Sequence, residues 1–105
     1  MPALSLTVPH RLPPDEALAR VRRCFDDGLR EHRDAVRDVD VQWGGSGARF
    51  ALRARGMAVS GTLTVRTRAV RVAVKLPLAA LPLRSRIEQV VTRALRDELS
   101  ARGDG

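Results

Sequence analysis

Residues 57–76, MAVSGTLTVRTRAVRVAVKL, decide how the chain is built. Met57, Val59, Gly61, Leu63 and Val65 fall on one side of an extended backbone, with Ala58, Ser60, Thr62 and Thr64 on the other. That period of two marks a strand with one buried face. After a turn near Arg66–Arg68 the alternation resumes, with Val70, Val72, Val74 and Leu76 opposite Arg71, Ala73 and Lys75. A turn this short cannot carry a crossover, so the two strands pair antiparallel. The pair has one aliphatic face and one face of small residues and cations.

The same pattern extends toward the N-terminus. Gly56 turns the chain, and before it Phe50, Leu52 and Ala54 alternate with Arg49, Arg53 and Arg55. The Gly-Gly-Ser-Gly run at 44–47 is a hairpin connection. Ahead of it Val39, Val41 and Trp43 alternate with Asp40 and Gln42. These four segments form an antiparallel meander. A fifth strand opens the chain, where Leu4, Leu6 and Val8 alternate with Ser5 and Thr7, and it is expected to lie beside the last strand.

Two helices complete the order. Pro14 suits a first helical position, and Asp15 and Glu16 place negative charge at the positive end of the helix dipole. Leu18, Val21, Phe25 and Leu29 form one apolar stripe ending near His32, with Arg22–Asp26 and Arg23–Asp27 as expected i,i+4 pairs on the wet side. Pro77 and Pro82 bracket a short apolar link. The closing helix carries Leu83, Ile87, Val90, Val91, Ala94, Leu95 and Leu99 along its stripe, and residues 101–105 are read as a frayed tail.

The predicted fold class is therefore α+β, in the order β-α-β-β-β-β-α. An antiparallel sheet of about five strands carries both helices on one face, a reduced helix-grip-like arrangement. The 105 residues form one domain, with an ordered core of about residues 3–100. The other sheet face is left to solvent, and the parity of the strands sends Arg49, Arg53, Arg55, Arg66, Arg71 and Lys75 to it.

Charge placement singles out that open face. Net charge is +7, but residues 41–87 hold eight Arg, Lys75 and no acid. Such a field attracts polyanions or anionic surfaces. Sheet proteins that bind single-stranded nucleic acid stack bases on exposed aromatics, and this face has none. Sequence-specific RNA recognition is disfavoured, while nonspecific nucleic-acid binding stays open.

No residue pattern points to catalysis, a metal or a cofactor. His10 is read as a cap of the first strand-to-helix corner rather than a general base, and His32 as a favourable cation at a helix end. Cys24 flanks the apolar stripe and reads as a small buried residue. One cysteine and two histidines without ligand spacing exclude a zinc site from the expectation. Trp43 is expected to be a buried core anchor and Gly61 a close-packing position. The Gly-Gly-Ser-Gly turn lacks the Lys-Ser/Thr ending of a phosphate loop. The N-terminus shows no signal peptide, and no apolar run approaches the ~20 residues that span a bilayer, so the expected compartment is the cytoplasm.

The arrangement of pieces resembles one known family. Val8-Pro9-His10 ends the leading strand, and Pro14-Asp15-Glu16-Ala17 opens the helix. Trp43-Gly44, Gly61-Thr62-Leu63, Val72-Ala73-Val74-Lys75-Leu76 and Ile87-Glu88 follow. Over nearly the whole chain this is similar to the polyhydroxyalkanoic acid system proteins, also called granule-region proteins. The resemblance implies a bacterial, cytoplasmic protein associated with storage-polyester metabolism, and it brings no catalytic residues. The leading expectation is a non-enzymatic accessory protein whose basic face meets a polyhydroxyalkanoate granule or an anionic protein. The alternatives are a small apolar-ligand binder gripped between sheet and helix, with Gly61, Ala54 and Ala48 leaving the space, and nonspecific nucleic-acid binding.

Overall fold

The computed structural model describes residues 3–100, and the tail expected to fray lies outside them. The strands are β1 (Ala3–Pro9), β2 (Val36–Gly44), β3 (Gly47–Ala54), β4 (Met57–Val65) and β5 (Ala69–Lys75). Helix α1 (Pro14–Glu31) follows β1, and α2 (Arg84–Ser100) closes the chain after a 3₁₀ segment (Leu78–Leu83). The sheet is fully antiparallel in the order β1-β5-β4-β3-β2. The first strand does pair with the last, with Leu4 opposite Val74 and Val8 opposite Val70.

This order places β1 and β2 at opposite edges of the sheet, so α1 must carry the chain across its whole width. Four strand spacings make about 19 Å, and 18 helical residues reach about 27 Å, which suffices. Pro14 stands at the start of α1 with Asp15 and Glu16 in the first turn, as expected. The helix ends where the His32 N–H donates to the Gly28 carbonyl at 3.1 Å.

The core lies between the inner sheet face and the two helices. Leu4, Val8, Ala17 and Val70 are completely buried, joined by Leu63, Val72, Val74, Leu95 and Leu99. The α1 stripe is rotated from its expected position: Ala17, Arg20 and Val21 are buried, whereas Leu18, Phe25 and Leu29 are only partly so. In α2 the expected stripe is too wide. Leu95 and Leu99 are buried and Ile87 and Val91 partly buried, but Val90 and Ala94 are exposed, and Leu83, also exposed, ends the 3₁₀ segment before the helix.

Two local backbone features shift strand register. Asp38 takes a left-handed φ of 53° at a bulge between Arg37 and Asp40. The extra residue moves Val39 off the inner face, leaving it 44% exposed, and Val36 takes the inward place opposite Ala54. At the β3–β4 hairpin, Arg55 and Gly56 are the two turn residues, both with positive φ. A two-residue hairpin between Ala54 and Met57 calls for that geometry. Arg55 is therefore a turn residue and not part of the strand face.

Candidate functional site: a basic outer sheet face and an apolar inner cleft

The outer face is built in rows across the sheet. One row runs Ser5, Ala73, Thr62, Arg49 and Gln42; the next runs Ala3, Lys75, Ser60, Ala51 and Asp40. Small residues dominate the middle of both rows and leave a depression of about 510 Å³, with Arg49, Lys75, Asp40 and Gln42 among its lining. Arg71 lies in the adjoining row between Thr7 and Thr64.

Four of the six expected basic residues share this face: Arg49, Arg53, Arg71 and Lys75, all exposed. The other two sit in turns at opposite ends of the sheet. Arg55 occupies the β3–β4 turn, and Arg66 begins the β4–β5 turn, where its N–H donates to the Ala69 carbonyl at 2.7 Å. Parity counting misplaced both, because it continued strand geometry through residues whose backbone has already turned. The bulge in β2 also brings in a cation that the sequence reading missed. Arg37 pairs directly with Arg53.

Among the described residues, acids reach the face only from β2. Asp38 Oδ2 lies 3.8 Å from Arg53 Nε, and Arg53 also donates through Nη1 to the Gly56 carbonyl at 3.2 Å. The acid-free run of residues 41–87 is thus partly answered at one edge. Asp40 is three strand spacings, about 14 Å, from Lys75 along its row, beyond a physiological screening length of about 8 Å. Among the described residues, Arg49, Arg71 and Lys75 have no ion-pair partner.

The inner face holds a second candidate. Between α1, α2 and the sheet, an apolar cleft of about 300 Å³ opens to one side. Phe50, Leu63 and Val72 form its floor; Cys24, Gly28 and Leu29 of α1 and Val91 of α2 are among its walls. Gly61 does not open this space. A Cβ there would meet the Ala73 carbonyl and stand 2.9 Å from the Phe50 ring, so the glycine is filled by its neighbours. At Gly28, by contrast, a Cβ would have nothing within 4 Å of it.

The aromatic residues gather on this inner side. Phe25 packs edge-on against Trp43 at 6.0 Å and tilted against Phe50 at 5.3 Å. Trp43 is half-buried instead of a fully buried anchor, because it lies on edge strand β2 with Arg22 5.3 Å over its ring. Arg22 is therefore used for cation–π contact, and no Arg22–Asp26 pair occurs among the described residues. Arg23 reaches across to α2, donating to Glu98 Oε2 at 2.8 Å, in place of the expected Asp27 pair.

His10 performs the corner role read from the sequence. It is 6% exposed, its Nδ1 accepts from the Leu12 N–H at 3.1 Å, and its Nε2 donates to the Arg66 carbonyl at 2.8 Å. Accepting at Nδ1 places the proton on Nε2. His10 thereby fastens the β1–α1 corner to the β4–β5 turn. Cys24 is half-buried, and its thiol lies 3.9 Å from the Ala94 carbonyl. Burial pushes that thiol up from its ordinary value, with Glu98, Asp27 and Glu31 adding to the shift.

These features define a two-layer α+β domain with a five-stranded antiparallel sheet and two helices on its inner face. Residues 4–99 match the model of the family described as "Putative polyhydroxyalkanoic acid system protein". The chain belongs to that family, as the resemblance in its sequence indicated. Among solved structures it is similar to TTHA0849 from Thermus thermophilus, with 14% identity, 93% of this chain and 92% of that chain covered, and a TM-score of 0.42. It is also similar to Ara h 8.0201, with 10% identity, coverage of 93% and 97%, and a TM-score of 0.41. None of the curated proteins matches the chain.

Proposed function

We propose that the protein is a non-enzymatic accessory protein of polyhydroxyalkanoate storage that meets an anionic partner or the granule surface through its outer sheet face. The observation that carries this reading is the exposure of Arg49, Arg71 and Lys75 on one face without an acidic partner among the described residues. A rigid sheet holds them in fixed array, so their charge acts as a directed field rather than as general solubility. The occupied state of His10 supports a non-catalytic role, since both ring nitrogens already serve the backbone. Nucleic acid is a weaker partner because Phe25, Trp43 and Phe50 all lie on the helix side, leaving no base-stacking platform outside. The test is co-fractionation in a cytoplasmic extract. The protein should travel with storage granules, and it should remain in the soluble fraction of a strain unable to make the polyester.

The inner cleft favours a second reading, an apolar-ligand binder. The open cleft of about 300 Å³ is lined almost entirely by apolar side chains. Apolar walls also hold water poorly. An open cleft with apolar walls is suited to an apolar occupant. Binding of a medium-length alkyl chain, blocked by Gly28→Leu without loss of fold, would support this reading over the first.

A further inference from the structure

Of the large apolar side chains exposed among the described residues, four lie within residues 78–90: Leu78 at 72%, Leu81 at 40%, Leu83 at 43% and Val90 at 59%. We infer that this ridge is an interfacial anchor for an anionic phospholipid surface, distinct from the outer sheet face and independent of it.

The ridge is held outward by the fold. Ala80, in the middle of the 3₁₀ segment, is buried to 2% exposure and pins that segment to the core. Pro77 and Pro82 restrict the backbone on either side of the leucines. Leu78 and Leu81 therefore face solvent from a fixed support, and little chain entropy is lost when they enter an interface. Leu83 closes the 3₁₀ segment and Val90 lies seven residues further on in the first half of α2, and both are exposed. Arg86 stands between them, three residues after Leu83 and four before Val90, and Arg84 is exposed beside it.

Apolar side chains flanked by arginines match the pattern of an element lying in the headgroup region. Arginine stems run along the apolar surface while the guanidinium groups reach phosphates. No described helix is long and apolar enough to cross a bilayer, so α2 would lie along the surface. A second copy of the chain is a poorer occupant. Pairing two ridges would bring Arg84 and Arg86 of both copies together as like charges, whereas an anionic lipid surface complements them. Glu88 is half-buried toward β1, in the surface hollow that Ser5 and Leu6 also line.

The experiment is co-sedimentation of the full chain with phosphatidylglycerol–phosphatidylcholine vesicles at about 0.5 M salt, where screening lengths fall below about 5 Å. Wild type should retain a salt-resistant bound fraction. Replacing Leu78, Leu83 and Val90 together by Ser should weaken it at least about tenfold, since each side chain carries several methylenes into the interface. At about 0.1 M salt, where charges are less screened, Arg84→Gln with Arg86→Gln should lower binding toward that of pure phosphatidylcholine vesicles. Glu replacements of Arg49, Arg71 and Lys75 should leave the salt-resistant fraction intact, which separates this anchor from the outer-face reading. As a measurement that does not depend on the triple Ser variant folding, Leu78→Trp should gain blue-shifted emission with vesicles and be quenched by brominated acyl chains. The inference is overturned if wild type fails to sediment with any vesicle, or if the Ser variant binds unchanged. It is overturned equally if Trp at position 78 stays in a polar environment, or if wild type is a dimer that the Ser variant dissociates.

Discussion

Arg20 donates through Nη1 to the Glu98 carbonyl at 3.1 Å, tying the first half of α1 to the last turn of α2. The same guanidinium, with its side chain 8% exposed, meets Glu16 Oε2 through Nε at 3.2 Å and Nη2 at 2.9 Å. A planar fork serves both helices at once, and the positive group lies at the negative end of the α2 dipole. Arg20→Ala is expected to destabilise the domain by about 2–3 kcal/mol, read by urea denaturation. Arg20→Lys should recover only part, because an ammonium cannot reproduce the fork. A loss below about 0.5 kcal/mol in both variants would show that the helices hold together without this strap.

Glycine substitutions should separate packed from open positions. Gly61→Ala forces a methyl against the Ala73 carbonyl and the Phe50 ring, and overpacking of this kind costs about 1–3 kcal/mol. Gly28→Ala points into open space within α1 and should stabilise by up to about 1 kcal/mol through helix propensity. Thermal melts of the two variants should move in opposite directions. If Gly61→Ala is neutral, the inner sheet face is looser than described.

Cys24 gives a pH prediction with a definite sign. Burial raises the thiol above its ordinary value of 9.0, so the folded protein favours the protonated form more than the unfolded chain does. The associated stability is fully present below the unfolded value and is lost as pH rises through the folded one. Stability should thus decline from about pH 9 upward, and Cys24→Ser should lessen that decline. Alkylation at neutral pH should be slower in the folded protein than in urea, since the thiolate is the reactive form. An alkyl compound filling the cleft should slow it further, because Cys24 is part of the cleft wall.

The sequence made the fold legible wherever side-chain period and backbone geometry agree. β4 and β5 alternate without interruption, and their register follows directly from Leu63 opposite Val72. The reading failed where the backbone departs from the regular form. Asp38 adopts a left-handed conformation that no apolar pattern announces, and it reassigns Val36, Arg37 and Val39 together. Arg55 and Arg66 continued the right parity into turns. Arg20 was missed because an arginine is ordinarily assigned to the wet side of a helix. Its signal was present in Ala17 and Cys24, which bracket it at helical spacing on the inner side, and in Glu16 four residues earlier. Val90 was placed inward because α2 carries more apolar arc than the sheet and α1 can cover, and Leu83 because the helical pattern was extended back into the 3₁₀ segment.

The basic outer face is the central claim, and heparin affinity tests it most directly, because a soluble polyanion offers no apolar surface to the leucine ridge. Arg53 is excluded from the test set since it is engaged by Asp38 and the Gly56 carbonyl. Replacing Arg49, Arg71 and Lys75 by Glu should leave thermal stability nearly unchanged, at less than about 0.5 kcal/mol for each exposed site. Wild type should stay on a heparin column until a few tenths molar salt, roughly where screening shortens to a few ångströms, and the outer-face variant should pass through unretained. Glu replacements of the exposed α2 residues Arg86, Arg93 and Arg96 make the same change in net charge and should keep most of the retention. Equal elution of the outer-face variant and wild type, with the fold intact, would contradict the account and leave the inner cleft as the better candidate.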